Sequence, residues 1–185
     1  MEAYLRGLEY IMNKNRTTGR SFREYMVPVV LAKILGNSDT GFVDWRNPCG
    51  DVSGALVYDF DGEILPADEA RSMREIFSLG NVKSISYQEL VRRKNTFRTM
   101  NLSLRDRDPT CRECAYNPYC GVMPVLEYAR RGSMETLPHQ SEDCLYTLSL
   151  LDWTFRRLLT DPLPLILMVP QLREHMHELL MEPAA

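Results

Sequence analysis

No long apolar run occurs in this sequence. The longest, Leu163 to Val169, is interrupted by Pro164 and closed by Pro170, far short of the roughly 20 residues that span a bilayer. Residues 1–20 carry charges at Glu2, Arg6, Glu9, Lys14, Arg16 and Arg20, which leaves no apolar stretch of the kind a secretory signal needs. Together these absences set the expectation of a cytoplasmic protein with no membrane partner. Charge of one sign is lacking too. The 22 Lys and Arg stand against 25 Asp and Glu, for a formal net charge of −3, so composition gives no electrostatic reason to expect a nucleic-acid partner. The one basic cluster, Arg92, Arg93, Lys94 and Arg98, reads as a solvated helix face. Neither a glycine-rich phosphate loop nor a Ser-His-Asp candidate stands out.

What is there suits a folded chain. Of 185 residues 44% are hydrophobic and 25% charged, the ordinary balance of a globular protein, and the length allows one domain with a real core. Tyr4, Leu5, Leu8, Ile11 and Met12 recur at helical spacing over residues 2–14, and Thr17-Thr18-Gly19 ends that helix. A second helix is expected over 21–35, with Ser21 and Glu24 as a capping box and Pro28 as a kink. Residues 55–60 read as a strand, Asp61-Gly62 as a hairpin turn, and 63–66 as the returning strand. Helices are expected at 68–77 and at 86–100, the latter capped by Ser86 and Glu89. Leu79-Gly80-Asn81-Val82 separates them. Residues 105–124 read as loop, 125–131 as a short helix stopped by Gly132, 145–159 as an amphipathic helix, and 171–181 as a last helix. There is no internal repeat.

The five cysteines carry the chemistry. An odd number leaves one over from any purely intramolecular disulfide scaffold, and without a secretion signal thiols stay reduced. Cys111, Cys114 and Cys120 lie at C-x2-C-x5-C spacing, and Cys144 follows after a gap. A short-spaced pair can bind one metal centre with little loop-closure cost. All-thiolate ligation suits a [4Fe–4S] cluster or a structural zinc, and spacing alone leaves these two level.

The same segment resembles the SPASM region of radical SAM peptide-modifying enzymes. That family's pattern is C-x9–15-G-x4-C, then C-x2-C-x5-C-x3-C, then a final C. Cys49 and Gly62 match its start, Cys111, Cys114 and Cys120 its core, and Cys144 its end, whereas Ala67 and Pro124 stand where two further cysteines belong. The chain is similar in particular to the radical SAM maturases of the His-Xaa-Ser system. The matching stretches are Asn47-Pro48-Cys49-Gly50, the run from Asp61 to Arg71, Leu79-Gly80-Asn81-Val82, and the run from Cys114 to Gly121. The resemblance covers about residues 1–160. It implies an α+β fold, with a β-hairpin followed by a helix-rich, loop-organised cysteine domain. It also implies one auxiliary [4Fe–4S] cluster held by Cys111, Cys114, Cys120 and Cys144. Of the second auxiliary cluster's ligands only Cys49 remains, and it reads as a small buried residue in a turn.

The family's C-x3-C-x2-C loop for S-adenosylmethionine is missing, as is the strand–helix alternation of a partial TIM barrel. The resemblance therefore implies the C-terminal part of a maturase, as a fragment, a split gene product or a degenerate remnant, not catalytic alone. Residues 1–40 would be a helical linker from a preceding barrel, 41–160 the iron–sulfur domain, and 161–185 a helical tail. S-adenosylmethionine would bind only to the missing half. The implied partners are a peptide substrate and a separate radical SAM barrel chain. The alternative is a zinc-stabilised binding module without redox chemistry. Asp68, Glu69 and Arg71 are candidates for substrate contact, although a charged helix start is the simpler explanation of them. His139 lies near Cys144 in sequence, but the four-thiol set is already complete. His175 and His177, two apart, do not share a helix face and read as solvated. Tyr116 and Tyr119 are expected to shield the centre.

Overall fold

The helix expected at the start of the chain forms, as α1 (Glu2–Thr18), and it ends where Gly19 takes the left-handed conformation at φ 65°. The structure is a computed structural model and describes residues 1–36, 41–135 and 137–169. It divides into two compact units, residues 1–40 with 145–185 and residues 41–144.

In the first unit α2 runs over Met26–Leu35, not from residue 21. Asn15, fully buried, accepts a hydrogen bond from the Phe22 N–H (2.7 Å) and donates to the Phe22 carbonyl (2.8 Å). That pair of hydrogen bonds satisfies Phe22's backbone outside any helix. Ser21 therefore caps nothing and donates instead to the Leu167 carbonyl. Glu24 takes the capping role, accepting from the Met26 and Val27 N–H groups at 2.8 and 2.9 Å. Pro28 falls in the first turn of the shortened helix, where its missing N–H breaks no intrahelical bond.

The second unit is built on a three-stranded antiparallel sheet in the order β1 (Val57–Tyr58), β2 (Glu63–Leu65), β3 (Gly80–Asn81). Val57 faces Leu65, and Ile64 sits between Tyr58 and Gly80. The expected strand over 55–60 is thus shortened to two residues. Its far end becomes the turn, where Asp59 accepts from the Gly62 N–H at 2.9 Å and Gly62 holds φ 91°. β3 was not expected. It is two residues long and begins with a glycine at φ 127°, which no strand propensity marks.

Alternation along β2 makes two cores. Leu65 joins Phe77, Leu102 and Val125, and Ile64 joins Leu79 and Leu90. The expected helix 68–77 is a 3-10 turn (Asp68–Met73) running into α3 (Arg74–Phe77). The expected helix 86–100 splits at Arg93 into α4 (Tyr87–Arg92) and α5 (Lys94–Leu102), with the Ser86–Glu89 capping box formed. Residues 105–124, expected as loop, contain α6 (Pro109–Arg112) and 3-10 turns at Arg105–Arg107 and Asn117–Tyr119. Then α7 (Pro124–Arg131) ends at Gly132, φ 69°. Phe77 meets Tyr128 of α7 edge to face at 5.4 Å.

α8 (Glu142–Thr160) starts three residues before the expected helix, and α9 (Leu163–Ile166) follows it through two prolines. Within the first unit α9 packs on α1. Glu9 of α1 accepts from Trp153 at 2.6 Å and from Arg157 at 2.5 Å. The helix expected at 171–181 lies outside the described residues. No described helix is long and apolar enough to cross a membrane. The class is α+β, as expected.

Candidate metal centre

The cysteine segment is a succession of three-residue turns. Asp108 caps α6 by accepting from the Thr110 N–H at 2.9 Å, and Pro109 takes the first helical position, where its missing N–H is harmless. The Cys114 N–H then bonds to the Cys111 carbonyl (3.1 Å), the Asn117 N–H to Cys114 (3.0 Å) and the Cys120 N–H to Asn117 (3.3 Å). Residues three apart lie over one another in such turns. The sequence steps between Cys111, Cys114 and Cys120 are multiples of three. The C-x2-C-x5-C spacing thus follows the hydrogen-bonded ladder.

Cys144 arrives from another segment. It sits in the first turn of α8, where its N–H donates to the Ser141 hydroxyl at 3.0 Å. None of the five cysteines is in a disulfide. Cys111, Cys120 and Cys144 are buried and Cys114 is half-buried. Burial pushes the Cys111 thiol up, with Arg105 pulling it down and Asp108 and Cys144 adding to the rise. Cys144 is raised in the same way, with Arg105 opposing and Cys114 and Asp108 reinforcing. Charge on Cys144 would thus act on Cys111, and charge on Cys114 on Cys144. Among the described residues, however, no group of three or more His, Cys, Asp or Glu stands in metal-holding geometry.

Arg105 is the member that sequence reasoning missed. It is 4% exposed. One terminal N–H points at Cys111 Sγ, 3.8 Å away, and the other donates to the Gly121 carbonyl, next to Cys120. Its Nε has no partner among the described residues, and no described carboxylate forms an ion pair with it. A buried, unpaired guanidinium is costly. Cys111, which its terminal N–H faces, would carry negative charge on ionisation. No pattern in Leu104-Arg105-Asp106-Arg107 sets this arginine apart from its neighbours.

Two further links brace the loop. Asn47 donates to Asp106 (2.8 Å) and Asn117 (3.1 Å) and accepts from the Arg105 N–H (3.0 Å), while Asn117 donates to Asp106 at 3.0 Å. The Asn47-Pro48-Cys49-Gly50 stretch is thereby tied to the cysteine loop. Gly121 packs so tightly that a Cβ there would lie 1.7 Å from the Asp44 carbonyl oxygen. His139 Nδ1 stands 2.6 Å from Asp108 Oδ2. Burial raises the Asp108 carboxyl, but the bonds from His139 and Thr110 outweigh it and hold the group below its ordinary range. The Asp-Pro pair before Cys111 was the visible sign of this cap.

The remaining candidates lie elsewhere. Cys49 is fully buried, and burial and Asp51 push its thiol up. Asp51 is raised to about 7, by burial first, with Glu69 and Asp44 adding and the Val125 N–H opposing. Asp68, Glu69 and Arg71 lie on the exposed 3-10 turn, where Arg71 pairs with Asp68 (3.2 Å) and Asp59 (3.6 Å). Tyr116 and Tyr119 are half-buried in the cysteine loop. His175 and His177 lie outside the described residues. Comparison with protein-family models, curated proteins and solved structures found no match for the chain.

Proposed function

We propose that residues 41–144 form an auxiliary iron–sulfur domain of a radical SAM enzyme that modifies a ribosomally made peptide, with Cys111, Cys114, Cys120 and Cys144 as the cluster ligands. The observation that carries the reading is Arg105. A buried guanidinium with an orphaned Nε, set against the thiols and with no carboxylate ion pair among the described residues, fits a centre that becomes anionic when four thiolates gather on a metal. The donor set suits iron–sulfur or zinc chemistry. The cysteine pattern resembles the SPASM class, which favours iron.

A [4Fe–4S] cluster bound there would supply a redox-active centre. The chain's own residues do the rest. The Asp108 cap and the three-residue turns fix the backbone that carries Cys111, Cys114 and Cys120. Ser141 fixes Cys144. Arg105 compensates negative charge and pins the Gly121 carbonyl. Activity on a peptide would require a partner carrying the S-adenosylmethionine site, so the domain alone is not proposed as a catalyst.

Anaerobic reconstitution with iron and sulfide tests the assignment. Iron uptake with broad absorption near about 400 nm, the region of thiolate-to-iron transitions, supports it. Stoichiometric zinc in a colourless protein replaces it with the zinc-stabilised module, which a chelator would unfold.

A further inference from the structure

The basic residues around Lys94 read as a solvated helix face in sequence, and all four are exposed, but two of them, Lys94 and Arg98, also line a groove. Lys94, Phe97, Arg98 and Asn101 recur at helical spacing along one stripe of α5. Together with Arg107, Glu135 and Leu137 they line a cavity of about 520 Å³. That volume is within the range of ligand pockets, about 300–1,000 Å³. Two features of its lining pull toward one chemistry. Phe97 and Leu137 are 66% and 50% exposed, large apolar side chains left uncovered on the groove walls. Lys94, Arg98 and Arg107 supply three cations against the single carboxylate of Glu135, which Arg98 already engages at 2.9 Å. Lys94 and Arg107 pair with no described carboxylate. This concentration of positive charge occurs in a chain whose net charge is −3, so it is local to the groove.

We propose that this groove docks a peptide segment that is acidic and carries a bulky apolar side chain. The apolar side chain would lie against Phe97 and Leu137, and flanking carboxylates would meet Lys94 and Arg107. A polyphosphate chain fits less well. The cations are few and interleaved with apolar surface, and phosphate-backbone binding rests on many charge contacts made together. The groove also abuts the thiol segments. Arg107 precedes Asp108, the cap of α6, and Leu137 leads into Pro138 and His139, the residue bonded to Asp108. A peptide held here lies beside the cysteine loop. The proposal does not depend on that loop holding a metal.

The test is fluorescence anisotropy on the full chain, with a short labelled peptide of alternating glutamate and leucine as the probe. A lysine–leucine peptide and an oligothymidylate serve as competitors. The expected result is saturable binding of the glutamate–leucine peptide, weakened about tenfold or more in the charge-reversed Lys94→Glu/Arg107→Glu variant and about fivefold by Phe97→Ala, roughly the scale of one or two lost contacts. All three positions are exposed, so the variants should keep the parent's circular dichroism and iron content. Unchanged affinity in both variants overturns the proposal. So does equal binding of the lysine–leucine peptide. Displacement by oligothymidylate, with binding of that oligonucleotide lost in the charge-reversed variant, assigns the groove to nucleic acid instead. Iron content, measured on the same samples, reports on the thiol centre separately, so failure of either reading leaves the other standing.

Discussion

Arg105 points a terminal N–H at Cys111 Sγ, 3.8 Å away, and among the described residues this buried cation forms no ion pair with a carboxylate. Replacing it by methionine removes a charge that is costly when the thiols are neutral and valuable when they are ionised. In the metal-free protein the lost bond to the Gly121 carbonyl and the relieved desolvation oppose each other, so stability should change by no more than about 1 kcal/mol. Metal affinity should fall about 10- to 100-fold, the usual effect of losing a residue that supports metal ligands. Denaturant melts and competitive metal titration of Arg105→Met read the two quantities. Equal losses in both would make Arg105 a structural residue only.

Asp51 gives a pH signature. Its carboxyl titrates near 7 in the fold, against an ordinary value of 3.8. The folded state therefore binds more protons than the unfolded one between those values, and stability falls as pH rises from about 4 to about 7. The full penalty, on the order of 4 kcal/mol, applies above pH 7. Asp51→Asn should remove this component, so that the variant gains on the parent as pH is raised from 4 to 8. Urea melts across that range check the sign.

Gly121 tolerates no side chain. A Cβ would fall 1.7 Å from the Asp44 backbone oxygen, which is not the end of a flexible side chain. Gly121→Ala should cost about 3 kcal/mol or more. It should also lower metal uptake, because the displaced carbonyl is the one Arg105 holds. Thermal melts with and without metal measure both effects.

Asp108 works in the opposite pH direction to Asp51. Its depressed folded-state pKa contributes stability above the ordinary carboxylate range, and that stability is lost as pH falls through the depressed value. Asp108→Ala loses the cap on α6, worth about 1 kcal/mol, and the partner of His139. The deficit should be largest near neutral pH and should shrink in acid, which a pH series of urea melts will show.

The elements that sequence made legible are those with local causes. α1, the Ser86–Glu89 box and the stop at Gly132 follow from periodicity, capping chemistry and left-handed glycine. The hairpin turn at Asp61-Gly62 was legible too, but the length of β1 was not, because Phe60 has strand propensity and stands 94% exposed in the turn. β3 depends on pairing with Ile64, 16 residues back, and the true start of α2 on the side-chain bonds of Asn15 to Phe22, neither of which periodicity marks. At the candidate centre the thiols were readable from their spacing. Arg105 and the Asn47–Asp106–Asn117 bracing were not, since nothing local distinguishes an arginine that folds inward from its exposed neighbour Arg107.

Iron and sulfide counting after anaerobic reconstitution tests most directly the proposal that the four thiols hold an iron–sulfur cluster. About four irons and four sulfides per chain are expected, as a [4Fe–4S] centre requires, with uptake abolished in Cys111→Ser/Cys114→Ser and retained in Cys49→Ser. One zinc per chain with no sulfide, or iron uptake that survives loss of Cys111 and Cys114, would contradict it.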